Sequence, residues 1–255
     1  MTRSTQSPSL LPAAVAALSL AAALALVAAF APGAARAAGD GELEDPYDVE
    51  PGRRLDVLVE RMRLEQEATR TLEASFVQRK ESALLLEPDL ATGVFFYAAP
   101  DNVRWEYDDP TPISLLITGD HMRTWYRDLG QVEEVEIGRH SQRILEYLGA
   151  GSSLATLVEY FDVRLTLPGD RSRPLHLDLD PKFERVARRL QGMNIWVDST
   201  TYLPVKLRYV EADGDVTEYE FSDFRVNGEI SSDRFELDLP ADVHVRTIDL
   251  NRGLR

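Results

Sequence analysis

Beyond Ala74 the apolar residues of this chain recur at every second position, a period that suits strands with one face covered and the other wet. Asn102–Asp108 sets Val103, Trp105 and Tyr107 against Arg104 and Glu106, and Pro174–Asp180 sets Leu175, Leu177 and Leu179 against His176 and Asp178. The same alternation recurs at Phe161–Leu167, Leu203–Val210, Val216–Phe221 and Arg234–Leu239. Turn formers at Asp109-Pro110, Gly119-Asp120, Leu129-Gly130, Asp213-Gly214 and Asn227-Gly228 supply the punctuation that hairpins need. The expectation is an α+β fold, mainly β: one strongly curved antiparallel sheet of about ten or eleven strands. A sheet of that width closes, or nearly closes, into an incomplete barrel.

One helical segment precedes the alternation and a second region interrupts it. Leu55, Leu58, Val59 and Met62, then Ala68, Leu72 and Phe76, fall near one face at helical spacing, which predicts an amphipathic helix over about Arg53 to Leu72. Residues 140–160 carry Ile144, Leu145, Leu148, Leu154, Leu157 and Val158 and predict two short helices broken at Gly149-Ala150-Gly151. Helices in this setting must bury their apolar stripes, so they are the candidate lid over the sheet. No repeat or long linker divides the chain, and residues 53–245 are expected to form one domain. An acidic, turn-rich lead-in over 38–52 precedes it, and a tail over 246–255 follows.

Residues 1–37 form a separate unit. Arg3 precedes an uncharged run from Leu10 to Ala31, and Ala35-Arg36-Ala37 places small residues at the −3 and −1 positions of a cut after Ala37. That order matches a secretory signal peptide and predicts a periplasmic protein. The alternative is an uncleaved inner-membrane anchor, since 22 uncharged residues are long enough to span a bilayer. Cleavage would remove two arginines and no acid, moving the formal net charge from −15 to −17. Such a charge argues against nucleic-acid binding and against adhesion to anionic lipid. The chain has no cysteine. Disulfides, thiol catalysis, cysteine-ligated metals and a lipid-modified N-terminal cysteine are therefore excluded.

Catalytic signatures are missing from the sequence: it has no G-x-S-x-G, Walker A, G-x-G-x-x-G or H-E-x-x-H pattern. His121, His140, His176 and His244 show no ligand spacing, so neither metal nor cofactor is expected, and His176 reads as a solvated residue. Acidic clusters at Glu106-Tyr107-Asp108-Asp109 and Glu133-Glu134-Val135-Glu136 would suit a glycosidase only if two carboxylates faced each other across a cleft. Outward faces and edge strands explain them more simply. Gly149-Ala150-Gly151-Ser152-Ser153 reads as a helix break with a serine cap rather than a phosphate nest. What is left is a surplus of large apolar residues on strands: Phe95, Phe96, Tyr97, Trp105, Tyr107, Leu115, Leu116, Ile117, Trp125 and Tyr126. They form an ordinary core, or they line an apolar cavity under the helices; pattern alone does not separate the two.

Several segments, in order and spacing, resemble the LolA/LolB superfamily of periplasmic lipoprotein carriers. They are Ala74-Ser75-Phe76-Val77-Gln78 after the helix, Gly93-Val94-Phe95-Phe96-Tyr97, and Pro100 followed by Arg104-Trp105-Glu106-Tyr107. Further on come Leu179-Asp180-Pro181-Lys182, Ile195-Trp196-Val197-Asp198 with Leu203-Pro204, Asp213-Gly214 with Thr217, and Phe235-x-Leu237 with Pro240 and Val243. Two departures stand out. Trp125 and Tyr126 are adjacent where the carriers have Trp-x-Tyr, so alternation places only one of them in the cavity. Ala99 also stands before Pro100, where a proteobacterial carrier has an arginine thought to help latch the lid.

The resemblance implies a monomeric, non-catalytic carrier that shields the acyl chains of lipoproteins or lipids on their way toward the outer membrane. It also implies an inner-membrane transporter and an outer-membrane acceptor as partners. The implied cavity residues are Phe95, Tyr97, Val103, Trp105, Tyr107, Leu115, Ile117 and Trp125, and the implied lid residues are Leu55, Leu58, Val59 and Met62. A second reading on the same scaffold is a regulatory sensor that binds lipoproteins or lipids in envelope stress signalling. A third is an exported hydrolase using the acidic clusters.

Overall fold

The computed structural model describes residues 44–136 and 154–248. The signal segment over 1–37, the first of the two short helices expected within 140–160, and the Gly149–Ser153 break lie outside the described residues.

A turn of 3-10 helix over Pro51–Arg53 leads into α1, Arg54–Ala68. Strands β1 (Thr71–Glu81), β2 (Asp89–Ala98), β3 (Asn102–Asp109), β4 (Ile113–Thr118), β5 (His121–Tyr126) and β6 (Gln131–Glu136) follow as a meander. Helix α2 (Leu154–Tyr160) then precedes β7 (Phe161–Thr166) and β8 (Leu175–Pro181). The short α3 (Glu184–Ala187) leads to β9 (Leu190–Val197), β10 (Pro204–Glu211), β11 (Val216–Val226) and finally β12 (His244–Ile248). All twelve strands join one sheet in the order β12-β6-β5-β4-β3-β2-β1-β11-β10-β9-β8-β7. Since β12 and β7 do not pair, the sheet is an open, curved half-barrel rather than a closed one.

Four sequence expectations need correction. The helix ends at Ala68, not Leu72, and Leu72 and Phe76 lie on β1. The spacing of four that joined Ala68, Leu72 and Phe76 fits a strand face as well as a helix face, and a polar clasp decides between them. Thr69 Oγ1 donates to the Glu65 carbonyl at 2.7 Å, and Asn227 receives the Arg70 N–H at 2.7 Å while donating to the Ala68 carbonyl at 3.1 Å. Asn227-Gly228 is thus not a hairpin turn: Asn227, with φ of 58°, ties the end of α1 to the start of β1. Arg234–Leu239 is not a strand either; Ser232–Phe235 forms a 3-10 turn, and Phe235, Leu237 and Leu239 are half-buried without pairing. The tail does not begin at 246, because β12 runs to Ile248 and pairs with β6 in parallel, the one parallel pair among the described strands.

Between β11 and β12 the chain crosses the convex face as a strap. Arg104 Nη1 donates to the carbonyls of Arg234 (2.9 Å) and Glu236 (3.1 Å), and the Arg234 guanidinium lies 5.1 Å from the Phe96 ring centroid. Beneath it, Glu106 is held by Arg104 at 2.6 Å, by Arg127, and by the buried Ser114 hydroxyl at 3.0 Å. The acid of the first cluster is therefore consumed in a partly buried ion group. His176, expected to be solvated, instead bonds Asn194 at 2.8 Å and stacks on Trp196 at 4.8 Å.

Curvature requires one bare position. At Gly93 the β2–β3 register shifts, and an added Cβ would overlap the Glu106 carbonyl oxygen and come within 2.7 Å of Phe76 Cζ. Backbone cannot move aside as a flexible side chain can. Gly93→Ala is therefore expected to destabilise the protein by about 2 kcal/mol or more, measured by urea denaturation with an unchanged m-value.

Candidate functional site: the concave face of the sheet

Alternation on β1, β2, β3, β4 and β8–β11 turns a continuous apolar surface toward the helices. At its centre Trp105 is fully buried. Phe76 and Phe95 meet it edge-on, each with centroids 4.9 Å away, and Tyr219 does so at 5.5 Å. Such T-shaped contacts set the positive ring edge against the negative face and add about 1 kcal/mol each beyond area burial. The indole Nε1 of Trp105 has no hydrogen-bond partner among the described residues.

Of the eight residues expected to line a cavity, Phe95, Tyr97, Val103, Trp105, Leu115 and Ile117 belong to this one buried cluster, and Tyr107 packs against it. Trp125 does not. Tyr126 is paired with Ile113 and Trp125 with Ser114, so Trp125 shares the convex face with Glu106 and Arg127, whose guanidinium stacks 5.0 Å from its ring. Tyr126 takes the concave side, its hydroxyl donating to Glu133 at 3.4 Å. The four lid residues all pack on the cluster: Leu58 and Met62 are buried within it, and Leu55 and Val59 lie against it half-exposed. Helix α2 adds Leu157 and packs on α1. At Ala99, in the β2–β3 turn, the backbone N–H donates to the Arg70 carbonyl at 2.8 Å, and the methyl offers the helices no polar hold.

Sequence reasoning named only one half of this face. Phe76, Tyr209, Tyr219 and Phe221 complete it from β1, β10 and β11. Their alternation was visible, but nothing in it showed that these strands would lie beside β2 and β3. One end of the face is polar. The Tyr107 and Tyr219 hydroxyls are 3.4 Å apart, and Gln78, Thr217 and Glu211 are buried nearby on β1, β11 and β10. Burial pushes the Tyr107 hydroxyl up to about 12 and raises Tyr209 and Tyr219 as well.

The acidic clusters do not converge. Glu106 lies on the convex face, whereas Glu133 is on the opposite side near Arg246 (3.6 Å), and Glu134 pairs with Arg123 at 2.8 Å. Among the described residues no group of three or more His, Asp or Glu is placed to hold a metal.

A family model described as outer membrane lipoprotein carrier protein LolA matches residues 67–238. The chain belongs to the LolA family. An outer-membrane lipoprotein carrier protein of Alkalilimnicola ehrlichii is 28% identical over 177 residues, covering 67% of this chain and 74% of that one. Among solved structures, an uncharacterised conserved protein of Thermus thermophilus aligns at 12% identity, with 78% of this chain and all of that one covered and a TM-score of 0.49. A LolA superfamily protein of Nitrosomonas europaea aligns at 13% identity over 72% of this chain and 98% of that one, with a TM-score of 0.38. The LolA match begins at the end of α1, so the sheet rather than the lid carries the family signature.

Glu211 is the anomaly of the site. It is 8% exposed, its Oε1 has no hydrogen-bond partner among the described residues, and burial raises its pKa above the usual 4.5, with Lys80 opposing and Asp213 and Asp215 adding to the rise. A carboxyl whose folded pKa is raised is not penalised below its unfolded value and costs stability as pH climbs through the folded one. Glu211→Gln is expected to raise Tm at pH 8 and to leave it unchanged at pH 3, as thermal melts at the two pH values would show.

Proposed function

We propose that this chain is an exported, non-catalytic carrier that holds the acyl chains of lipoproteins or lipids against the concave face of its sheet. The observation that carries this reading is a continuous aromatic and aliphatic surface, spanning β1–β4 and β8–β11, over which the described residues lay two short helices. A carrier needs this arrangement, because moving a lipid-anchored protein through water means hiding its chains. At about 0.8 kcal/mol per methylene, one chain of about fifteen methylenes represents on the order of 12 kcal/mol. In the closed form the helices fill that role, with Leu58 and Met62 seated where an acyl chain would lie. Loading requires α1 to lift, exchanging protein methylenes for lipid methylenes. The Trp105 N–H, which has no partner among the described residues, supplies a donor for an acyl ester carbonyl.

The name of the Alkalilimnicola relative supports lipoprotein as the cargo and the outer membrane as its destination. We place the mature protein in the periplasm, with residues 1–37 as a cleaved export signal, acting as a monomer between an inner-membrane transporter and an outer-membrane acceptor. Among the described residues no helix is long and apolar enough to cross a membrane. A net charge of −15, or −17 after cleavage, suits a shuttle that must not lodge on anionic lipid. The separation of Glu106 from Glu133 across the sheet removes the geometric support for a hydrolase.

The protein contains three tryptophans. Replacing Trp125 and Trp196 by Phe leaves Trp105 as the sole reporter. Lipid with brominated acyl chains is expected to quench its emission strongly, while bromide in solution is not. Strong quenching by bromide with none by brominated lipid would overturn the proposal. Native mass spectrometry of protein purified from its own envelope is expected to show a bound acylated species.

A further inference from the structure

Four strands of the concave face, β3 on the far side of β2 and the adjacent β1, β11 and β10, change character along their length, and they change in the same direction. Toward one end of the sheet β1 runs Leu72, Ala74, Phe76, Gln78, Lys80, and β3 runs Val103, Trp105, Tyr107. Alongside them, β11 read backwards runs Phe221, Tyr219, Thr217, and β10 runs Leu207, Tyr209, Glu211. The pairings Gln78 with Tyr219, Lys80 with Thr217 and Tyr209 with Thr217 place these polar groups together. The rim of an ordinary sheet becomes polar where it meets water, but Gln78, Thr217 and Glu211 are buried, and a closed apolar core has no use for such groups there. A surface that receives an amphipathic molecule does, with its tails at the aliphatic end and its head among the hydroxyls.

The charges at this end are unbalanced. Lys80 lies 3.7 Å from Asp215 and is thereby engaged, with both side chains mostly buried. Glu211 stands on the same face as Leu207 and Tyr209, more than nine-tenths buried, with Oε1 bonded to none of the described residues. Lys80 offsets part of the charge on Glu211 but is shared with Asp215, and desolvation with Asp213 and Asp215 still raises the carboxyl's pKa, so a buried oxygen is left without a hydrogen bond among the described residues and the site has room for a further donor. A ligand hydroxyl or amide N–H would satisfy the hydrogen bond but not the charge, whereas an ammonium would satisfy both. The nearby tyrosine hydroxyls can donate to the carbonyl oxygens that accompany such a head.

We propose that the polar end of the concave face is a head-group site that selects acylated ligands carrying a free amino group, with Glu211 receiving the ammonium. This rests on the acyl-carrier reading above and narrows its cargo. A lipoprotein terminus whose cysteine amine is free, and whose sulfur carries a glyceryl group bearing two ester-linked acyl chains, fits the site. The N-acylated form, which has lost the charge, fits poorly.

The test uses the full chain and competition against the brominated lipid. The probes are a synthetic S-diacylglyceryl-cysteine peptide with a free α-amino group, its N-acylated counterpart, phosphatidylethanolamine and phosphatidylglycerol. One charge-assisted hydrogen bond predicts about tenfold tighter binding of the free-amino peptide than of the N-acylated one. Glu211→Gln is expected to reduce that ratio to near one by weakening only the free-amino peptide. Should that variant fold poorly by circular dichroism, Glu211→Asp, which shortens the reach, is expected to lower the ratio in part. A matching preference for phosphatidylethanolamine over phosphatidylglycerol supports recognition of any amino lipid. A preference confined to the cysteine peptides supports recognition of the lipoprotein terminus. Equal binding of both peptides, or a ratio that Glu211 variants leave unchanged, overturns the head-group site while leaving the carrier reading intact. Failure of every probe to bind overturns both.

Discussion

The structure depends on how a twelve-stranded sheet covers its concave face. An antiparallel sheet can leave one face to water, but this one sets Trp105, Phe95, Phe76 and Phe221 on a single side. The fifteen-residue α1 and the seven-residue α2 are the helices laid over them. At about 25 cal/mol per Å² of apolar surface, a face of this kind cannot remain open in water. Two features serve that closure: the bare Gly93 that lets β2 bend over Phe76, and the Asn227 clasp that fixes where α1 ends.

The opposite face is held by different forces. There the sheet carries an ion group of Arg104, Glu106 and Arg127, and the strap between β11 and β12 bonds to it through backbone carbonyls. Half-buried ions bound to several partners lose more when one partner is removed than the assembled group contributes. The group thus fixes register and position more than it adds stability. By anchoring the strap it also brings β12 to the otherwise bare edge of β6, where parallel pairing protects β6 from joining a strand of another molecule.

How much of this was legible in the sequence follows from which periods are distinctive. The alternation in Val103-x-Trp105-x-Tyr107 has no helical counterpart, so the strand and its buried face could be read directly. A spacing of four, as in Ala68, Leu72 and Phe76, satisfies both periods, and the boundary was set by Asn227, far away in sequence. The alternation of Phe235, Leu237 and Leu239 is real, yet it serves packing rather than pairing; alternation shows which residues point inward, not whether a neighbour lies alongside. Trp125 and Tyr126 show the same limit, since adjacency guarantees opposite faces but only the pairing with Ser114 and Ile113 says which is which. Glu211 was invisible for another reason. Beside Asp213-Gly214 it reads as an exposed hairpin residue, and only the curl of the sheet buries it.

The position of α1 over the apolar face and the buried Glu211 carboxyl, whose Oε1 has no hydrogen-bond partner among the described residues, bear on one another. If α1 covered a wholly apolar face, the protein would gain little by opening, since exchanging its own methylenes for those of a lipid is close to neutral. A carrier built that way would load only under external work. If Glu211 receives an ammonium as proposed, its buried Oε1 alters the balance: the empty state bears a cost that the incoming group removes, while the hydrophobic exchange stays near zero. A differential interaction of this sort is what a ligand needs in order to shift a conformational equilibrium. Selectivity for the head group and the tendency to open would then share one origin, and replacing Glu211 by a neutral residue should stabilise the empty protein and weaken its grip on amino-bearing cargo together.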